Sequence, residues 1–275
     1  MASIIAFEPR RFESAAPYYL EGRPPYAGQL IRRVAHILGF DHTQRLLDLG
    51  TGPGLLAVAF APYVADVTAI DPEPEMLRLA GDYAQQAGVR LRLLEGSSYA
   101  LNEALGRFAL VTIGRAFHWM DRKATLETLD RLIQPEGAVA LFSTRHPDLP
   151  ENRWLKDYDA LRDIFGEANS HRLVRRSPDW IAHEKILLDS PFSQLERLSV
   201  IERRSTPLEH FITRALSLSS SSPGRIGANA DALTSALRAV LQKFAVDGAI
   251  EEVVESEALI AWRPRSRSFS EDGHA

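Results

Sequence analysis

The stretch Leu46–Ala57 reads LLDLGTGPGLLA: an apolar run interrupted by an acid, three glycines at two-residue spacing, then apolar residues again. Glycine has no Cβ, so it adopts positive φ without strain and lets a ligand approach the backbone. A tight strand-to-helix turn is one reading of these glycines, and a ligand-receiving loop is the other. The position of the loop bears on the choice, because open α/β sheets bind ligands beyond the carboxyl ends of their strands, where the strand order reverses.

Outward from this loop, strand-like and helix-like segments alternate. RLLDL (45–49), DVTAI (66–70), RLRLLEG (90–96), FALVTI (108–113) and GAVALFS (137–143) are short runs rich in apolar residues. Between them, Met76, Leu79, Ala80, Tyr83, Ala84 and Ala87 recur on one face of a helix predicted over 72–87, with Gly88 as its stop. Residues 121–133 read as a helix with Asp121 as N-cap. The alternation predicts right-handed crossovers and a doubly wound, mostly parallel α/β sheet whose strands are covered on both faces.

After Ser143 the alternation breaks. Residues 144–190 carry Trp154, Tyr158, Phe165 and Trp180 among many charges and read as a cap of helices and loops. A strand pattern resumes at 193–205. TPLE (206–209) reads as a helix start, with Thr206 as cap, Pro207 at the first position and Glu209 completing a capping box. LSLSSSSPG (216–224) reads as a loop, 229–245 as a helix and 251–262 as a final strand. The expected organisation is a lid segment and cofactor-binding core over 1–143, a cap over 144–190, core-completing elements over 191–262 and a frayed tail over 263–275.

Composition narrows the function. The 275 residues suit one large domain or a core with a cap, and 45% apolar with 25% charged is ordinary for a globular chain. A net charge of −4 gives no electrostatic reason to expect nucleic acid. Arg32-Arg33, Arg175-Arg176 and Arg203-Arg204 read as solvated faces or local ion pairs. The chain has no cysteine, which excludes disulfides, thiolate nucleophiles and zinc–thiolate sites and favours a cytoplasmic home. No apolar run approaches the ~20 residues of a membrane helix, and the N-terminus does not read as a signal peptide. No metal-ligand spacing links His146, His171 and His183, which read as surface or packing residues, so no metal is expected.

Two cofactor classes compete for the glycine loop. The dinucleotide pattern is G-x-G-x-x-G/A. Counted from Gly50, its third position is Leu55; counted from Gly52, it ends at Ala57 and matches only in part. The order here is D-x-G-x-G-x-G, with Asp48 where a negative charge would oppose a pyrophosphate. Such an acid suits a cationic or hydrogen-bond-donating group. Asp71 ends the second strand, 21 residues after Gly50, where a carboxylate can accept both ribose hydroxyls of an adenosine. A ligand with an adenosine half and a positively charged amino-acid half satisfies both acids, and S-adenosylmethionine (SAM) is such a ligand.

At these residues the chain resembles the class I SAM-dependent methyltransferases, closest to the branch acting on small molecules. LLDLGTGPG is similar to the family's first motif and VTAIDPEPEML to its second. RLLEGSSYALN occupies the third, and the segment from Phe108 to Phe142 the fourth and fifth. YLEGRPPY (19–26) resembles a segment leading into this branch. The resemblance covers roughly residues 15–145. It implies a Rossmann-like, seven-stranded sheet with an antiparallel last strand and a helical cap insertion. It also implies that Gly50, Gly52 and Gly54 admit the methionine part of SAM and that Asp48 orders the loop and meets the amino group, directly or through water. Asp71 would hold the ribose diol. Met76 would flank the adenine or ribose, with helix core as its alternative role. Ser97 and Ser98 would lie at the adenine edge, Arg115 and Ala116 near the methionine moiety, and Tyr19 and Arg23 at its carboxylate. Two positions depart from the pattern: Ser97 stands where an acid is frequent, and Phe108-Ala109 where Phe-Asp is usual.

The implied reaction is methyl transfer to a small-molecule acceptor, with an oxygen of a carboxylate or hydroxyl favoured. Positioning and water exclusion supply much of such a rate, and a base is needed only for a protonated, weakly acidic nucleophile. His118, in AFHWM (116–120), is the candidate base, or a partner that orients substrate. Trp119, Tyr18 and Trp154 are candidate pocket walls, and packing is the alternative for all four. A SAM-binding protein that is non-catalytic or uses SAM otherwise, and an NAD(P)-dependent oxidoreductase, are the rival readings. No nucleic-acid or membrane partner is expected, and the chain is read as a monomer or homodimer.

Overall fold

A computed structural model of the chain describes residue 8 and residues 10–167, 174–175 and 177–264. His171 and most of the expected tail, 265–275, lie outside the described residues.

Five strands follow the predicted series: β1 (Arg45–Leu49), β2 (Asp66–Asp71), β3 (Arg92–Glu95), β4 (Phe108–Gly114) and β5 (Ile133–Arg145). β6 (Gln194–Pro207) and β7 (Ala249–Trp262) complete one seven-stranded sheet of order β3-β2-β1-β4-β5-β7-β6. β1 to β5 are parallel, and β7 runs antiparallel to both of its neighbours. The doubly wound α/β sheet with an antiparallel last strand is therefore the observed architecture. Its order reverses between β1 and β4, so the loops after these two strands emerge side by side. That is where a ligand crevice forms in such sheets.

The strands are apolar on both faces because both are covered. One face packs Leu46, Leu110, Ala140 and Ile260 under helix α1 (Gly28–Ile37) and α2 (Leu55–Phe60). The other packs Leu47, Val111, Leu141 and Leu259 with residues of α4 (Arg122–Leu132). Helix α3 (Pro74–Gln86) turns Met76, Ala80 and Ala84 inward, as its period predicts, and Gly88 follows it at φ +68°. Asp121 caps α4 by accepting a hydrogen bond from the Ala124 N–H at 3.1 Å.

A third apolar cluster lies beyond the sheet. It joins α5 (Trp154–Phe165) to α7 (Leu208–Leu216) and α8 (Asn229–Leu241), while α6 (His183–Leu188) packs beside β6. Trp154 is 1% exposed in this cluster, with ring edges against His146, Tyr158 and Phe211.

The TPLE segment departs from its predicted form. β6 pairs with β7 in register through Thr206↔Ile250 and Pro207↔Ala249, and α7 begins only at Leu208. No side chain caps it. The Thr206 hydroxyl donates instead to Glu252 Oε1 at 2.7 Å, and Glu209 accepts from Arg238. Sheet pairing and a buried acid outcompete a local capping box here. The serine run is also more than a loop: Ser217, Ser219, Ser221 and Ser222 are buried.

Candidate active site

Two cavities lie at the point where the strand order reverses. The first is lined by Leu49, Gly50 and Gly52 after β1, by Asp71–Glu73 and Met76 after β2, and by Gly96–Tyr99 after β3. Gly114–Ala116, Trp119 and Met120 after β4 close one side, and Glu8, Arg11, Phe12 and Tyr19 another.

The three loop glycines have different tasks. All have positive φ: +69°, +54° and +83° for Gly50, Gly52 and Gly54. The N–H groups of Gly50 and Thr51 donate to the Ile70 carbonyl, which fastens the loop to β2. A Cβ added at Gly52 would meet nothing within 4 Å, so the cavity meets bare backbone there. Gly54 does not line the cavity. A Cβ on it would press on Ala80 at 3.2 Å, so it seats α2 against α3.

The two acids also divide. Asp48 is 1% exposed and is not on the cavity surface. Its carboxylate accepts from the hydroxyls of Thr51 at 2.6 Å and Thr112 at 2.7 Å. Thr112 stands directly opposite it on β4. Asp48 thus braces the glycine loop between two strands, and burial pushes its carboxyl up to about 6 against those hydrogen bonds. Asp71 reaches the cavity. It accepts from the backbone N–H of Gly52 at 2.7 Å and of Glu73 at 3.0 Å, and burial again pushes it up to about 6.

Met76 lines the cavity and belongs to the buried face of α3. Ser97 and Ser98 line it where β3 ends. Arg115 sits at φ +55°, a left-handed conformation uncommon outside glycine, and Ala116 follows it on the cavity wall. The Arg115 Nη1 donates to the Pro24 carbonyl at 3.2 Å, and its guanidinium lies 4.7 Å from the Tyr26 ring centre. The end of β4 is thereby tied to the YLEGRPPY segment.

Sequence reasoning missed Glu8, Arg11, Phe12 and Glu73. The Phe12 ring meets Trp119 edge-on at 5.5 Å, and its N–H donates to Glu73. The Arg11 guanidinium lies over the Trp119 ring and pairs with Glu8 and Glu167; Arg225 pairs with the same two acids. The Arg11–Glu167 and Arg225–Glu8 pairs join positions 156 and 217 apart, so no local pattern reveals them.

The second cavity shares Phe12, Tyr19, Arg115, Ala116 and Trp119 with the first. Arg23, His118, Trp180 and His183 also line it. His118 is buried, its ring centre 4.8 Å from that of Trp119. His183 Nδ1 is 3.2 Å from Arg122 Nη1, which can only donate, so Nδ1 accepts and the neutral ring carries its hydrogen on Nε2. Burial, with Arg122 and Arg175 nearby, pushes His183 down to about 4 and keeps it neutral. Tyr18 and Trp154 line neither cavity. His146 sits in a buried network with Glu252 and Arg214. Arg175, read from the sequence as a solvated charge or a local ion pair, lines the second cavity. Among the described residues, no group of three or more His, Cys, Asp or Glu could hold a metal, and no helix is long and apolar enough to cross a membrane.

These residues fit SAM. A carboxylate stands at the end of β2 for a ribose diol, open glycine backbone stands beside it, and apolar and hydroxyl groups line the rest. A family defined as a methyltransferase domain matches residues 46–137, which hold both acids and all three glycines. The uncharacterized methyltransferase YcgJ of Bacillus subtilis is 30% identical over 122 residues, 43% of this chain and 48% of that protein. The ubiquinone biosynthesis O-methyltransferase of Azorhizobium caulinodans is 33% identical over 137 residues, 50% of this chain and 51% of that one. The chain thus spans about half the length of these two relatives. A SAM-dependent methyltransferase from Thiobacillus denitrificans, solved with S-adenosyl-L-homocysteine, shares the fold at a TM-score of 0.51 and 15% identity, over 93% of this chain and 99% of that one. Motif order, sheet topology and these likenesses agree: residues 46–137 match a methyltransferase domain, and the chain is similar to the class I SAM-dependent methyltransferases.

Proposed function

We propose that the protein transfers a methyl group from SAM to a small-molecule acceptor, at an oxygen of a carboxylate or hydroxyl. The observation that carries this reading is the shared wall between the two cavities, built from Phe12, Tyr19, Arg115, Ala116 and Trp119. A cofactor in the first cavity and an acceptor in the second would meet there. SAM supplies an electrophilic methyl group on a sulfonium. In this reading Asp71 holds the ribose diol, Met76, Ser97 and Ser98 flank the adenosine, and Gly50 and Gly52 admit the methionine part. Tyr19, Arg23 and Arg115 address its carboxylate, since an arginine fork donates bidentately to such a group. Asp48 acts as a positioning residue that holds the loop. His118 is the group assigned to orient or deprotonate the acceptor, because it lines the second cavity next to Trp119. His183 is excluded from the base role by its depressed pKa and its Nε2–H tautomer. The O-methyltransferase among the relatives supports oxygen as the accepting atom. The cysteine-free composition supports a cytoplasmic setting, and we assign a monomer or homodimer.

Calorimetric titration with SAM, S-adenosyl-L-homocysteine and NAD(P)H tests the cofactor, and methyl release over a panel of acids, phenols and alcohols tests the acceptor. Binding of nicotinamide cofactors alone would overturn the proposal. SAM binding with no methyl transfer to any member would favour a SAM-binding protein without this activity.

A further inference from the structure

Charge is sorted between the two cavities. Acids outnumber arginines in the first: Asp71, Glu73 and Glu8 line it with Arg11 and Arg115, and Asp48 lies behind the loop. Arginines dominate the second: Arg23, Arg115, Arg162 and Arg175 line it. Its two acids, Glu184 and Glu257, are both taken by Arg197.

Three of these arginines lack sufficient acceptors. Arg23, Arg115 and Arg162 each bury an Nε that has no hydrogen-bond partner among the described residues. Arg23 otherwise donates to the Ser217 carbonyl at 3.4 Å, and Arg115 to the Pro24 carbonyl at 3.2 Å and the Thr144 hydroxyl at 3.5 Å. Arg162 pairs through Nη1 with Asp159, the one carboxylate paired with the three among the described residues. Burial pushes Arg23 down to about 10, and Arg115 and Arg162 repel it further despite the nearby Tyr19. A bound SAM would not balance this set. Its single carboxylate is offset by its own ammonium, and its sulfonium adds a further positive charge.

One wall of the cavity is apolar. Ile113 on β4, Leu141 on β5 and Leu259 on β7 stand directly opposite one another and form a row across three strands. Phe117 and Trp180 also line the space.

We propose that the acceptor is a carboxylic acid with an apolar body, its carboxylate seated on Arg162 beside the buried Ser219–Ser220 turn and its body on the Ile113–Leu141–Leu259 row. This rests on the methyltransferase reading above. A carboxylate answers the arginine charge of this cavity in the planar geometry a guanidinium matches, and it sheds water more readily than a phosphate dianion.

The test uses the full chain loaded with S-adenosyl-L-homocysteine and titrated calorimetrically with benzoate and hexanoate, their neutral amides, and phenyl phosphate. The acids are expected to bind at least tenfold more tightly than the amides. Arg162→Gln is expected to remove that preference while leaving homocysteine-cofactor affinity within twofold, and Arg162→Lys to keep part of it. A melting scan of each variant shows that the fold is retained. Equal binding of acids and amides, or an unaltered preference in Arg162→Gln, would overturn the inference. Tighter binding of phenyl phosphate than of benzoate would overturn the carboxylate assignment. Failure of the cofactor analogue to bind at all would sink the methyltransferase reading and this inference with it, whereas cofactor binding without acid preference sinks the inference alone.

Discussion

The Asp71 carboxylate accepts a hydrogen bond from the Gly52 N–H at 2.7 Å, which joins the end of β2 to the loop after β1. One side chain thus shapes the glycine loop and presents a charged acceptor to the cavity. Asp71→Ala is expected to weaken S-adenosyl-L-homocysteine binding by about 1.5–3 kcal/mol, the range for hydrogen bonds to a charged group. That corresponds to about 10- to 150-fold in Kd. Calorimetry measures it, and unchanged affinity would refute the ribose assignment.

The same carboxylate makes binding pH-dependent. Burial holds Asp71 near 6, so at pH 7 it is largely ionised and below 6 largely protonated. Only the ionised form accepts from both ribose hydroxyls while keeping its backbone hydrogen bonds. Affinity is therefore expected to be flat above about pH 7 and to fall below 6, approaching about tenfold per unit if one ionisation controls it. Titrations from pH 5 to 8 check this, and Asp71→Asn should flatten the profile. A flat profile in the wild-type chain would contradict the assignment.

Much of this was legible in the sequence, for local reasons. The helix period of Met76, Ala80 and Ala84, the Asp121 cap and the apolar strand runs are short-range signals, and the structure follows them. The acids and glycines of the loop were legible as a motif, but their division of labour was not. Whether Asp48 reaches a ligand depends on Thr112, 64 positions away on the neighbouring strand. The TPLE capping box failed for a related reason: Thr206 is claimed by Glu252 across the β6–β7 pairing. The arginines of the second cavity come from the N-terminal segment, the end of β4 and α5, and only the fold brings them together.

Gly22 illustrates a motif residue whose reason is steric. A Cβ there would lie 2.6 Å from the Arg214 backbone nitrogen and 2.6 Å from the Thr213 carbonyl carbon. The Gly22 carbonyl also accepts from Arg214 Nε at 3.2 Å. Gly22→Ala must therefore push the 19–26 segment off α7. The expected cost is about 1–3 kcal/mol, typical of overpacking. A lowered Tm and weaker cofactor binding are both expected, because Arg23 is the next residue. A Tm equal to wild type would show that the contact yields freely.

Glu252 lies under this segment and is 1% exposed. Burial alone would raise its pKa. Hydrogen bonds from His146, Arg214 and Thr206, with the Arg214 charge, outweigh burial and hold the carboxyl well below the usual range. A depressed folded pKa contributes stability above the unfolded value near 4.5, and that stability is lost as pH falls below it. Glu252→Gln leaves Arg214 buried without its counter-charge and is expected to destabilise the fold by about 3–5 kcal/mol at pH 7. Urea unfolding at pH 7 and pH 4 tests this, and the gap between wild type and variant should narrow at the lower pH. A gap that is constant with pH would assign the loss to packing instead.

His118 lines the second cavity and is absent from the first. That placement separates the two steps a substitution could damage. His118→Ala is expected to leave S-adenosyl-L-homocysteine affinity within about twofold, since no cofactor contact is removed. Turnover should fall by about 10²–10⁴-fold if the imidazole takes a proton in the transition state. It should fall less, with a raised KM, if the ring only orients the acceptor. The pH profile decides between them, because a base leaves a limb in kcat that disappears in the variant. The Trp119 ring, 4.8 Å from His118, also contacts Phe12 and Arg11 in the N-terminal segment. Loss of cofactor affinity in His118→Ala would therefore mean that the histidine holds Trp119 in place, and its assignment would return to packing.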